Sequence, residues 1–83
     1  MRYILFTKKE CAFCTDSIEL LSREQVPYKI VNFESEQEEI LSEIKKAYEW
    51  ETVPMVFFRD GQDIKFIGGF TDLQRWIDDG GRA

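Results

Sequence analysis

At 83 residues the chain has room for one domain, residues 1–83, and one core. A formal net charge of −5 with no basic cluster argues against nucleic acid or an anionic membrane as partner. No apolar run is long enough for a bilayer span or a signal peptide, and two cysteines without such a signal point to a reducing cytoplasm, not to a secreted disulfide scaffold.

Tyr3 to Thr7 is nearly continuous apolar sequence bounded by polar residues, which predicts a buried strand. From Ala12 to about Glu24, Cys14, Ser17, Ile18 and Leu21 recur at helical spacing, with Asp16, Glu19 and Arg23 off that stripe. Pro27 prevents the helix from continuing. Tyr28 to Phe33 alternates and is rich in β-branched residues, a second strand, so the first three elements form a parallel βαβ unit. Ser35-Glu36-Gln37-Glu38 has the form of a capping box, opening a helix whose apolar side carries Ile40, Leu41, Ile44 and Tyr48.

Met55 to Arg59 and Ile64 to Ile67 flank Asp60-Gly61, a hairpin signal. Gly68-Gly69 breaks the second of these strands. Thr71-Asp72-Leu73-Gln74 repeats the capping-box form, with Thr71 as cap, and the last helix ends near Asp79, before Gly80-Gly81. The order is β-α-β-α-β-β-α, an α/β fold with a four-stranded mixed sheet and three helices on its faces.

The chemistry concentrates in Cys11-Ala12-Phe13-Cys14, where the first strand hands over to the first helix. Cys11 falls at the helix N-cap and Cys14 one turn further in, able to donate its S–H to the Cys11 sulfur or to bond to it. Free backbone N–H groups and the positive end of the helix dipole favour a thiolate at Cys11. A free cysteine titrates near ~8.5, so half ionisation at pH 7 requires about 2 kcal/mol. A helix terminus supplies about 0.3–1 kcal/mol, rising to ~2 only in favourable, partly buried geometry. Lys8, Lys9 and the Cys14 thiol supplement it, and Glu10 and Asp16 oppose it. A structural zinc site needs four Cys or His ligands, and this chain has two cysteines and no histidine. A structural disulfide within one turn would staple no separate elements. Two unreactive core thiols remain the bland alternative to a redox pair, the reading that C-x-x-C beside a βαβ unit supports.

That order of elements, with Cys11-Ala12-Phe13-Cys14 after the first strand, Thr52-Val53-Pro54 before the third and Gly68-Gly69-Phe70-Thr71-Asp72 after the fourth, resembles a glutaredoxin of the dithiol type. The resemblance covers essentially the whole chain and implies a thioredoxin-like fold. It further implies a cis peptide before Pro54, opposite the cysteines, with Thr52 and the Val53 backbone placed to pair with glutathione. By itself, the proline reads as an ordinary trans proline opening an edge strand. Gly68-Gly69 is either plain turn punctuation or, as the resemblance implies, a place where a ligand approaches the backbone. The N–H groups of Phe70, Thr71 and Asp72, with Gly69 before them, would then hold the γ-glutamyl carboxylate, and Asp72 the amino group. Lys8 would face the glycyl carboxylate or be merely solvated. Phe13 would be either a rim contact or core filling.

Two positions depart from the family pattern. Ala12 stands where dithiol members carry proline, which leaves the active-site turn looser. Glu51 stands where relatives often carry a basic or amide group, and it would repel a carboxylate. The implied function is glutathione-dependent thiol–disulfide exchange in a metal-free cytoplasmic monomer. Such a protein reduces protein disulfides and glutathionylated proteins through Cys11 and Cys14 and so maintains cell redox homeostasis. A variant is electron donation to ribonucleotide reductase. The alternative class is an iron–sulfur carrier, a dimer bridging a cluster through Cys11 and glutathione, which Ala12 favours and Cys14 opposes.

Overall fold

The elements follow one another as β1 (Arg2–Thr7), α1 (Ala12–Arg23), β2 (Tyr28–Asn32), α2 (Glu38–Ala47), β3 (Met55–Asp60), β4 (Asp63–Gly68) and α3 (Phe70–Asp78). This is a computed structural model, and it describes residues 1–81; Arg82 and Ala83, counted with the domain in the sequence reading, lie outside the described residues. The sheet order is β2-β1-β3-β4. β1 runs parallel to β2, from Tyr3 opposite Tyr28 to Thr7 opposite Asn32. It runs antiparallel to β3, with Leu5 opposite Val56, and β3 pairs antiparallel with β4. Gly61 turns the β3–β4 hairpin with φ +65°, a left-handed conformation that glycine adopts without a Cβ penalty.

Alternation along the strands sends side chains to two faces. Tyr3, Leu5, Val56 and Phe58 meet Leu20 and Leu21 of α1 and Leu73 of α3. Phe57 and Met55, with Ile4 and Phe6, face Leu41 and Ile44 of α2. Leu20, which the predicted stripe omitted, is buried, while Ile18 is only half-buried. Phe33 is buried just beyond the end of β2.

Three local expectations are corrected. The capping box ahead of α2 lies one residue earlier than Ser35–Glu38. The Gln37 side-chain oxygen accepts the Glu34 N–H at 3.0 Å, at the head of a 3-10 turn over Ser35–Gln37. Glu38 is not free for the box, because its carboxylate accepts a hydrogen bond from Lys8. Ile40 is 57% exposed: Leu41 and Ile44, three apart, face the sheet, and the neighbour of Leu41 is rotated about 100° away. The third correction moves the start of α3. Its cap is Gly69, not Thr71, and Asp72 Oδ2 reaches back to accept the Gly69 N–H at 3.0 Å. Gly68 turns the chain with φ +127°, so the helix begins sooner and Thr71 falls inside its first turn.

Candidate functional site

Thr7 closes β1 with its hydroxyl donating to Asn32 Oδ1 at 3.0 Å, which ties the ends of β1 and β2 together. The turn through Lys8 and Lys9 brings Glu10 into the left-handed region, φ +54°. That conformation costs a residue with a Cβ about 1–2 kcal/mol, and it delivers Cys11 in extended geometry as the N-cap of α1. The Cys14 N–H donates to Cys11 Sγ at 3.1 Å, a backbone donor aimed at the sulfur. No carboxylate occupies the first turn of α1, so the positive end of the dipole is unopposed there. Cys11 and Cys14 are joined as a disulfide, with Cα atoms 5.2 Å apart. Cys14 is buried and Cys11 partly open, an asymmetry that exposes one sulfur to attack.

Across from the pair, the Val53–Pro54 peptide is cis, and the Val53 carbonyl oxygen lies 3.7 Å from Cys11 Sγ. The start of α3 completes the arrangement. Phe70 stacks on Phe13, with ring centres 6.1 Å apart and planes 23° from parallel. Phe13 is 59% exposed and therefore a rim residue, not core filling. A Cβ on Gly69 would stand 3.6 Å from the Trp50 ring and 3.8 Å from the Pro54 carbonyl oxygen, ordinary contact distances that place this residue against both walls of the site. Because glycine caps α3, no cap side chain covers the free N–H groups of its first turn.

These elements enclose a cleft of about 210 Å³ that brings together Phe13, Thr52, Val53, Pro54, Gly69, Phe70, Thr71 and Asp72. A wider groove of about 570 Å³, with Thr7, Lys8, Glu10, Thr15, Ile18 and Ile30 on its walls, reaches the two cysteines from the other side. Lys8 lies outside the cleft, on the groove that it shares with Cys11 and Cys14. Its Nζ donates to Glu38 Oε1 at 3.0 Å. This hydrogen bond and the lysine's charge hold the Glu38 carboxyl below the usual carboxylate range.

Sequence reasoning missed two participants. Trp50 walls the cleft, and its Nε1 is the buried side-chain N–H without a partner among the described residues. Its place just before Thr52 was the available signal. Glu38 carried none, since its partner is 30 residues away in the chain.

The family model for glutaredoxin matches residues 4–64. The chain is similar in structure to wheat glutaredoxin, with TM-score 0.80 and 29% identity over 94% of this chain and 70% of that one. A buckwheat glutaredoxin–glutathione complex gives TM-score 0.78 and 26% identity, covering 94% of this chain and 69% of its own. Glutaredoxin from Brucella melitensis gives 0.74 and 25%, covering 96% and 82%. A search of curated proteins finds no match.

Proposed function

The chain belongs to the glutaredoxin family, and from that premise we propose that it is a glutathione-dependent thiol–disulfide oxidoreductase in a reducing cytoplasm, with Cys11 as nucleophile and Cys14 as resolving thiol. The observation that carries this reading is the Cys11–Cys14 disulfide at the N-cap of α1, with the Cys14 N–H on the Cys11 sulfur and Val53 beside it. In the reduced protein, the Cys11 thiolate attacks one sulfur of a substrate disulfide, and the other sulfur leaves as a thiolate. The Cys14 thiolate then attacks Cys11 Sγ, closing the pair and releasing the reduced substrate. Two glutathiones reopen the pair, supplying one electron each and leaving as glutathione disulfide. For a glutathionylated protein, Cys11 takes the glutathione and a second glutathione removes it.

In this reading the cleft takes a γ-glutamyl-cysteinyl ligand. Its main chain would lie along Thr52 and Val53, its α-carboxylate on the N–H groups of Phe70 and Thr71, and its amino group toward Asp72. The glutathione complex of the buckwheat neighbour supports glutathione as co-substrate. The expected protein partners are disulfide-bearing or glutathionylated proteins, ribonucleotide reductase among the candidates, met by a monomer.

The test assays both cysteine variants on both substrate types. Cys11→Ser abolishes every turnover, and Cys14→Ser keeps the glutathionylated substrate while losing most turnover of protein disulfides. Alkylation of the reduced protein at neutral pH labels Cys11 first. A Cys14→Ser variant inactive on both substrates would overturn the assignment of roles.

A further inference from the structure

The sheet itself fixes where the two ends of such a ligand lie. β1, β2 and β4 end, and β3 begins, at one end of the sheet. In strand order β2-β1-β3-β4, the row of connections there reads: the turn into α2 with Glu38, the loop Lys8–Cys11, the Thr52–Pro54 segment, and Gly69 opening α3. Glutathione is linear, with its sulfur on the middle residue. If the sulfur meets Cys11 beside Val53 and the γ-glutamyl end lies over α3, the glycyl end must point along the row toward Lys8 and Glu38. At that destination Lys8 is not a free cation. Lys8 Nζ is already held by Glu38 Oε1 at 3.0 Å, and Glu51 adds an exposed carboxylate directly before Thr52. Lys45 of α2 attracts Glu38 more weakly than Lys8 does, so it too favours the ionised carboxylate.

We propose that Glu38, by occupying Lys8, is a specificity residue of this site, which therefore favours γ-glutamyl-cysteinyl thiols whose C-terminal carboxyl is masked as an amide, neutral or cationic, over the free acid. The inference rests on the functional reading above, and it assigns the chemical class of the thiol that reading leaves open. A carboxylate arriving beside Lys8 must share the lysine with Glu38. A neutral amide is not repelled by a carboxylate, and its N–H groups can donate to Glu38.

The experiment measures kcat/KM for reduction of the Cys11–Cys14 disulfide by glutathione and by its C-terminal amide, each normalised to its uncatalysed rate. Exposed charge pairs set the scale, so the wild-type protein favours the amide by about two- to fivefold, and the preference shrinks in high salt. Glu38→Gln releases Lys8 and moves the ratio toward the free acid, chiefly through KM. A purely structural role for Glu38 would change both substrates alike. Wild-type preference for the free acid, or a ratio that Glu38→Gln leaves unmoved, overturns the inference while the functional reading stands. Failure of both thiols to reduce the protein overturns both.

Discussion

On one face of the sheet, α1 and α3 lie together over Tyr3, Leu5, Val56 and Phe58, and Leu5, Leu21 and Leu73 have no exposed surface. On the other, α2 alone covers an aromatic layer in which Phe57 meets Phe6, Tyr48 and Phe66 at ring distances of 5.0–5.2 Å. There Ile40 stays 57% and Tyr48 46% exposed. The tightly sealed face carries the chemistry, because the helix starts that hold the disulfide and the open N–H groups both belong to helices packed into it. The looser face contributes Glu38, at the start of α2, beside Lys8 of the loop that leads to Cys11. Reacting groups must be held to a fraction of an ångström, which needs rigid support. A charge that only biases selectivity acts over longer distances and tolerates a less constrained helix.

The largest effect expected from that contrast is in the cores. Leu21→Ala costs about 2–5 kcal/mol, since it removes a fully buried side chain from between helix and sheet. Ile40→Ala on the α2 face stays within about 0.5 kcal/mol. Urea unfolding of the two variants checks this, and equal losses would mean that Ile40 is packed as tightly as Leu21.

Gly68→Ala comes next, at about 1–3 kcal/mol. Its φ is +127°, and a Cβ there would stand 2.5–2.9 Å from the side chain of Asp72. Because that side chain holds the start of α3, the same variant should raise the KM for glutathione. Unfolding and steady-state kinetics on one sample test both expectations.

A smaller effect separates the two residues at the head of α3. Asp72→Ala loses the bond to the Gly69 N–H and costs about 0.3–1.5 kcal/mol, whereas Thr71→Ala, inside the turn and exposed, stays within about 0.5 kcal/mol. A larger thermal shift for Thr71→Ala would return the cap to the threonine.

The smallest effect belongs to Lys8–Glu38. Glu38 has its folded pKa lowered, first by the hydrogen bond from Lys8 and then by that lysine's charge. The stabilisation is therefore present above the ordinary carboxylate value and is lost as pH falls through the lowered folded one. Thermal unfolding of wild type and Glu38→Gln, followed into acid, should converge there. A gap that persists at the acid end would mean the glutamate acts through something other than its charge.

Much of the fold could be read residue by residue. The apolar run Tyr3–Thr7, the stripe leading out of Cys14, the Asp60-Gly61 turn and the glycines around each end of α3 fall where the structure has elements and turns. Cys11 stands at the cap its position after β1 predicted. The capping boxes were misplaced because two acceptors compete for each set of helix-start donors, and the sequence ranks them only by residue type. Phe13 had two compatible environments until Phe70 was found beside it.

The sequence by itself determined what depends on neighbours within a few positions: strand and helix periods, the breaks at Pro27 and Gly68-Gly69, and a thiol pair at a helix start. The tertiary structure alone decided what depends on strand order. By placing β1 between β2 and β3, the sheet sets Lys8 against Glu38 on one side of Cys11 and Val53 on the other. No local pattern encodes those meetings, because the residues that meet are 30 and 42 positions apart, and their distance is fixed only when the hydrophobic faces of separate elements find a common core.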